Sequence, residues 1–277
     1  TSAADSSQNR TGTLQNGTTV CTGLGTCPLW NASGRFGYAI TLDGINDLVN
    51  ISYASVQNIT QNISVEAFVY TRDAAKSDQR IITKHNNAGT FEWDLRFDGT
   101  SGRVLFALRN TTEITNLSSA ATLSSSRWYH IAATYNGSLM LIYIDGRQDN
   151  SAAHRGIIPT NSLPIIIGAH SGASPEFFNG TVDDVRISNF TRAFNVTLNY
   201  TISHTGINFV RTYNSTGVLV NTSAFSAVNY TSIQFAGMPV NTEYRIEVED
   251  SAGTKIEKWY PSKSGKCRPK GELDKIT

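Results

Sequence analysis

The chain has 277 residues, with 23 Lys and Arg against 22 Asp and Glu and a formal net charge of +1. That length suffices for one large or two modest domains, and the balanced charge leaves no electrostatic footprint for nucleic acid and no basic patch for an anionic membrane. Charged residues make up only 16% of the chain, below the roughly 25% usual in soluble domains, and Ser, Thr and Asn take their place, which suits strands and turns better than helices.

No stretch approaches the roughly 18 apolar residues of a membrane-spanning helix. The longest apolar runs, Leu139–Ile144 and Pro164–Gly168, have the length of strands. The start, Thr1-Ser2-Ala3-Ala4-Asp5, has neither Met nor an apolar signal core and reads as a mature terminus left after removal of a signal. Residues 1–34 read as an extended segment with a short disulfide loop, because Cys21 and Cys27 lie close enough to bridge.

From there, period-2 alternation dominates. Ile63, Val65, Ala67 and Val69 alternate with Ser64, Glu66, Phe68 and Tyr70. Phe91, Trp93, Leu95 and Phe97 alternate with Glu92, Asp94 and Arg96, and after a Gly99-Thr100-Ser101-Gly102 turn the segment Arg103–Arg109 completes a hairpin. Trp128–Tyr135, the Asn136-Gly137 turn and Leu139–Ile144 form a second hairpin, closed by Asp145-Gly146; Ile165–Gly168 and Thr181–Ile187 follow. No segment carries a helical 3.6-residue stripe, so the chain reads as all-β, a sandwich or jelly roll.

The alternation weakens over Asn189–His204 and resumes at Ile207–Tyr213, Val218–Asn221, Thr231–Phe235, Glu243–Glu249 and Thr254–Trp259. A domain boundary is therefore expected near residue 203, with a jelly roll over 35–203 and a small β module over 204–277. That module ends in a tail where Lys255–Lys270 collects Lys and Arg. Cys267 is left as a free thiol or an intermolecular partner.

Five segments carry a resemblance to the laminin-G-like, concanavalin A-type jelly roll: Gly37–Val49, Trp128–Gly137, Leu141–Gly146, Ile165–Gly168 and Phe178–Ile187. The resemblance implies two antiparallel sheets packed face to face. Gly237–Val248 is similar to the penultimate strand region of fibronectin type III and immunoglobulin-like modules, which implies a second, smaller immunoglobulin-like sandwich. With about 60 residues and about five strands the module is short for such a sandwich, so either strands are hidden in Asn189–His204 or a groove is left for another chain's strand.

Asn-x-Ser/Thr, the acceptor for N-linked glycans, occurs at Asn9, Asn16, Asn31, Asn50, Asn58, Asn62, Asn110, Asn116, Asn136, Asn179, Asn189, Asn195, Asn199, Asn214, Asn221 and Asn229. Chance would place only about five among this many Asn residues, so dense glycosylation and an extracellular or cell-surface location are expected. A retaining glycosidase needs two carboxyls about 5–5.5 Å apart, which i and i+2 of one strand face supply. Glu92 and Asp94 form such a pair, but Phe97 stands where the E-x-D-x-x-E pattern needs its last acid, and Arg96 shares the face. An exposed, charged strand face is expected instead.

The five His have no metal-ligand spacing, and no nucleophile elbow or phosphate-cradling Gly loop occurs. The resemblance implies bound calcium at the rim, with Asp43 and Asp183 as leading ligands and Asn46, Asp47 and Asp184 nearby; the alternative is that these acids cap turns and bond backbone amides. Trp93, Tyr70 and Tyr143 are the aromatics that could stack on a sugar.

The reading that results is a secreted or cell-surface glycoprotein that presents and binds surfaces rather than catalysing a reaction. As an adhesive or structural protein it would partner itself, other surface proteins or glycans, and would repeat along an extracellular filament or coat through strand donation or domain docking. The alternative is a calcium-dependent glycan-binding lectin module, with a glycoside hydrolase as a remote third.

Overall fold

The computed structural model describes residues 2–4, 11–22, 27–86, 90–171, 176–192, 195–214, 219–239 and 243–261; Asn9 and Cys267 lie outside them. The chain divides into two compact units, Thr1–Arg192 and Ala193–Thr277, so the division falls inside the weakly patterned segment Asn189–His204, about ten residues before residue 203.

The first unit opens with β1 (Ser2–Ala4), β2 (Thr11–Asn16), β3 (Thr19–Val20), β4 (Leu29–Gly34), β5 (Gly37–Asp43) and β6 (Asp47–Ile51). After one 3₁₀ turn at Ser55–Gln57 come β7 (Asn62–Thr71), β8 (Arg80–His85), β9 (Phe91–Phe97), β10 (Val104–Arg109) and β11 (Ile114–Ser118). β12 (Trp128–Asn136), β13 (Leu139–Ile144), β14 (Arg147–Ala153), β15 (Ile165–Ile167) and β16 (Asn179–Ser188) complete it. A nine-stranded sheet runs β1-β2-β6-β15-β8-β9-β10-β11, with β3 paired to β2, and a seven-stranded sheet runs β14-β13-β12-β7-β16-β5-β4. The segment before residue 35 is therefore no separate appendage: β1, β2 and β3 build one edge of the first sheet, and β4 closes an edge of the second.

Alternation explains why the sheets meet. Successive side chains point to opposite faces, so one apolar set per strand can face a partner sheet about 10 Å away. Trp93, Leu95 and Phe97 of β9 and Val104, Phe106 and Leu108 of β10 share one core with Ile63, Val65, Ala67 and Val69 of β7 and Ile131, Ala133 and Tyr135 of β12. Phe97 stacks on Phe178 with centroids 6.3 Å apart. Each fully buried Val, Leu, Ile or Phe among them contributes about 1.5–3 kcal/mol of transfer free energy. Cys21 and Cys27 are bridged, with Cα atoms 6.0 Å apart, and Cys21 packs in this core. Two glycines are required by geometry: Gly137 turns the β12–β13 hairpin at φ 88, and a Cβ at Gly180 would lie 2.2 Å from the Tyr70 carbonyl oxygen.

In the second unit, β17 (Asn195–Asn214), β18 (Leu219–Pro239), β19 (Glu243–Asp250) and β20 (Lys255–Pro261) make one four-stranded antiparallel sheet in the order β18-β17-β19-β20. The described residues thus give a single sheet where an immunoglobulin-like sandwich was expected. The strand hidden in Asn189–His204 is the first half of β17, which runs on into the expected Ile207–Tyr213: Val196, Leu198, Tyr200 and Ile202 alternate, but their sequon partners read as turn chemistry. Val210 faces Val248 and Thr212 faces Ile246 across β17 and β19, and all four are buried. On the other face Arg211 pairs with Glu247 and Glu249 at 2.9 and 2.5 Å.

Candidate functional site

The acid pair at Glu92 and Asp94 projects from β9 away from the core, as its alternation requires, but it is not exposed. Glu92 has no solvent-accessible surface and Asp94 is 3% exposed. The covering charges come from β8, a strand that the alternation did not reveal because Arg80 and Lys84 interrupt it. Lys84 forms an ion pair with Glu92, and its Nζ also donates to the Asn58 Oδ1 at 3.2 Å and the Asn161 carbonyl at 3.0 Å. The Asn161 amide donates to Glu92 Oε1 at 2.7 Å. Burial pushes the Glu92 carboxyl up, against the pull of Lys84.

Arg80 pairs with Asp94 and, through Nη2, with Glu176 Oε2 at 2.7 Å; Arg96 lies 3.3 Å from Asp94 and pairs with Asp78. The His170 ring and Arg80 hold Glu176 down to about 2 against its burial. Burial, with the positive Arg80 nearby, pushes His85 down to about 4. The expected exposed face is in fact a buried lattice of ion pairs: charges removed from water must be paired, and here each one is. Both carboxylates of the pair singled out in the sequence are engaged by cations, Glu92 by Lys84 and Asp94 by Arg80.

Beside this lattice, on the same outer face, lies an open pocket of about 260 Å³ lined by Gln15, Gly17, Thr18, Leu48, Asn50, Ile166, His170 and Ser171.

The outer face of the seven-stranded sheet differs. Register places Leu29, Thr41, Thr181, Tyr70 and Trp128 in one row across β4, β5, β16, β7 and β12. Directly opposite residues share a face, and this row is opposite to the one that carries Val69, Tyr129 and Val182 into the core. Tyr70 and Trp128 are half-buried, with ring centroids 5.6 Å apart and planes at 55°. The Thr41 and Thr181 hydroxyls are 2.9 Å apart. Alongside, Glu66 is held by His130 at 3.1 Å and Arg192 at 2.9 Å, while Phe36 packs edge-on against Phe68 at 4.9 Å. Of the three aromatics singled out for sugar stacking, Trp93 and Tyr143 are buried, at 0% and 8% exposure. Tyr70 stays available. Its partner Trp128 was legible only as the first residue of a strand.

Asp43 and Asp183 do not converge. On the β5–β16 ladder Asp43 faces Asn179, four residues and about 13 Å from Asp183. Asp43 Oδ1 accepts the amides of Ile45, Asn46 and Asp47 at 2.8, 3.2 and 3.3 Å. Lys76 Nζ donates to the Gly44 carbonyl, the oxygen a rim cation would want, and to Phe177 O at 2.7 Å. Asp183 accepts the amides of Phe36 and Asp184 at 2.9 and 2.7 Å. These acids fasten backbone, and together they do not fit a calcium cage, which takes 6–8 converging oxygens. Asp47 is the most perturbed of them: burial, then the Asp43 charge, pushes it up to about 6.

Among the sequons, Asn116, Asn136, Asn189 and Asn229 are exposed; Asn16, Asn31, Asn50, Asn58, Asn62, Asn179 and Asn221 are half-buried; Asn195, Asn199 and Asn214 lie on β17. Asn110 is 5% exposed. Its Nδ2 donates to the Arg155 carbonyl at 2.7 Å, and its Oδ1 accepts from Thr112 N and Glu113 N at 2.8 and 2.7 Å.

Two face-to-face antiparallel sheets in this strand order define a jelly-roll β-sandwich. The chain belongs to the concanavalin A-like lectin/glucanases superfamily, whose Laminin_G_3 family model matches residues 43–196. Domain 4 of a GH43 extracellular arabinanase from Geobacillus stearothermophilus, solved with arabinotriose, is similar at 16% identity and TM-score 0.52, covering 66% of this chain and 85% of that one. The binding domain of Paraclostridial Mosquitocidal Protein 1 is similar at 13% identity and TM-score 0.51, over 90% and 74% of the two chains. The binding domain of botulinum neurotoxin serotype G is similar at 11% identity and TM-score 0.50, over 91% and 71%. At such identities the likeness is one of fold. No curated protein matches the chain by sequence. No helix among the described residues is long and apolar enough to cross a membrane.

Proposed function

We propose that this is an extracellular, N-glycosylated adhesive protein whose jelly roll recognises glycan on a neighbouring surface and performs no catalysis. The observation that carries the reading is the Tyr70–Trp128 pair, half-exposed on the outer face in one row with the half-exposed Thr41. A sugar ring offers apolar C–H faces to aromatic rings and hydroxyls to polar edges, and such a row supplies both. The locked state of Glu92 and Asp94 supports binding over hydrolysis. The arabinotriose-bound arabinanase domain supports the ligand class by analogy of fold.

A glycan array probed with the glycosylated chain, with and without chelator, tests this. Binding that survives chelation and weakens at least about tenfold in Trp128→Ala or Tyr70→Ala, with unchanged melting, is expected. No binding above background removes the reading.

A second reading, a repeating subunit of a surface filament or coat, is favoured by β18. This 21-residue strand is the outer strand of its sheet and, among the described residues, pairs only with β17. An open edge of that length is a template for a strand from another copy. Electron microscopy of native material showing only dispersed monomers would exclude it.

A further inference from the structure

The pocket on the nine-stranded sheet has a feature that sets it apart from an ordinary surface depression: one of its lining residues, Asn50, heads an Asn50-Ile51-Ser52 sequon. Asn50 sits in mid-strand on β6, between β2 and β15, facing Thr13 on one side and Ile166 on the other. A sequon asparagine normally stands on a turn, with its sugar projecting into water; Asn136 at the β12–β13 hairpin is an example. At Asn50 a sugar would instead emerge into an open pocket lined by side chains.

The floor of that space is apolar. Leu48 and Ile166 belong to a small cluster with Ala169 and Phe177 that lies on the outer face, separate from the sandwich core. Its walls are polar: Gln15, Thr18, His170 and Ser171. His170 is fixed by Glu176 at 3.1 Å, and Ser171 Oγ donates to the His85 carbonyl at 2.8 Å. The volume of about 260 Å³ is below the roughly 300 Å³ at which pockets for drug-sized ligands begin, and suits a single pyranose. Asn50 Nδ2 donates to Gln15 Oε1 over a long 3.4 Å, which spends one of its two N–H groups and leaves the other free to be replaced.

We infer that the pocket is an internal seat for the first sugar of an N-linked glycan on Asn50, so that the glycan is a packed part of the fold there rather than a solvated appendage. The inference rests on the glycosylation that the proposed function invokes. In the transfer, Asn50 Nδ2 bonds to the anomeric carbon of a polyprenyl-diphosphate-linked sugar. The C–O bond to the diphosphate breaks, the lipid diphosphate leaves, and Nδ2 gives up one proton. The remaining N–H keeps its bond to Gln15. The pyranose then lays its apolar face over Leu48 and Ile166 and turns its hydroxyls to Gln15, Thr18 and His170.

The test uses the full chain secreted from mammalian cells, where the first sugar is N-acetylglucosamine. Site-resolved glycopeptide mass spectrometry reads occupancy, and peptide-N-glycosidase release is timed at each site with the protein folded and denatured. Seating predicts that Asn50 is occupied and that its sugar leaves the folded protein at least about tenfold more slowly than that of Asn136, because release requires local opening. The difference should vanish on denaturation. Ser52→Ala, which deletes the sequon but keeps Asn50, should lower the melting temperature of the glycosylated protein and leave that of unglycosylated bacterial protein unchanged. Asn50 bare while Asn136 is occupied, or equal release rates from the folded protein, overturns the seat and leaves the adhesive reading standing. No occupied sequon at all overturns both.

Discussion

The two outer faces of the jelly roll carry similar residue types to opposite ends. On the nine-stranded sheet, Glu92, Asp94, Arg80 and Lys84 are buried and mutually paired. On the seven-stranded sheet, Glu66 is likewise tied to His130 and Arg192, yet the neighbouring Tyr70 and Trp128 remain accessible. The difference lies in what crosses each face. The segment carrying Asn161 reaches over β8 and β9, its amide donating to Glu92 and its carbonyl accepting from Lys84, whereas Tyr70 and Trp128 keep part of their surface in solvent. An alternating strand exposes its polar face only where no loop returns over it, and sequence periodicity is silent on loops.

The sharpest way to break this contrast is Lys84→Met. It strands a carboxylate of zero exposure and should cost about 3–5 kcal/mol in urea denaturation, with most of the loss recovered in the Lys84→Met/Glu92→Gln double variant, because removing one partner of a buried pair is worse than removing both. A loss below about 1 kcal/mol would mean that water reaches this face after all. The contrast extends to the sequons. Asn110→Ala should cost about 1–3 kcal/mol, since it removes a buried side chain that caps the Thr112 and Glu113 amides and donates to the Arg155 carbonyl. Asn110 should also be bare in glycopeptide mapping. Asn136→Ala should leave stability within about 0.5 kcal/mol.

The smallest effects are those of pH. His85 titrates at about 4 in the fold against an ordinary 6.5, so the unfolded chain takes up a proton first and stability falls as pH drops from 6.5 to 4. Asp47 titrates at about 6 against 3.8, so the folded chain takes up the proton first and stability rises as pH drops from 6 to 4. The two oppose each other, and the melting temperature of the parent chain should be nearly flat across that window. His85→Gln should make it climb on acidification, and Asp47→Asn should make it fall. Below pH 4.5 the unfolded chain protonates Glu176 first, because the fold holds it down to about 2, so stability should fall from pH 4.5 towards 2 in all three proteins.

Much of the sandwich was legible because its strands alternate cleanly. β7, β9, β12 and β13 and both hairpins lie where Ile63–Tyr70, Phe91–Phe97, Trp128–Tyr135 and Leu139–Ile144 place them. β8 was missed because Arg80 and Lys84 break its apolar rhythm, and the first half of β17 because Asn and Thr fill its polar positions, although Ile207–Tyr213 in its second half was read as a strand. Of the site, Tyr70 was named on its residue type, while Trp128 needed the register that sets it opposite Tyr70.

By itself, the sequence determined the two-residue rhythm, the family-like order of segments, the sequons and the Cys21–Cys27 bridge. These are local properties, set by side-chain type and short spacing. Only the tertiary structure decided which polar faces are covered, that Asp43 and Asp183 stand apart, that Asn110 is a buried cap and that Asn50 opens onto a pocket. Each of those depends on chain segments far apart in sequence meeting across a sheet, and on the need of every buried charge or amide to find a partner there.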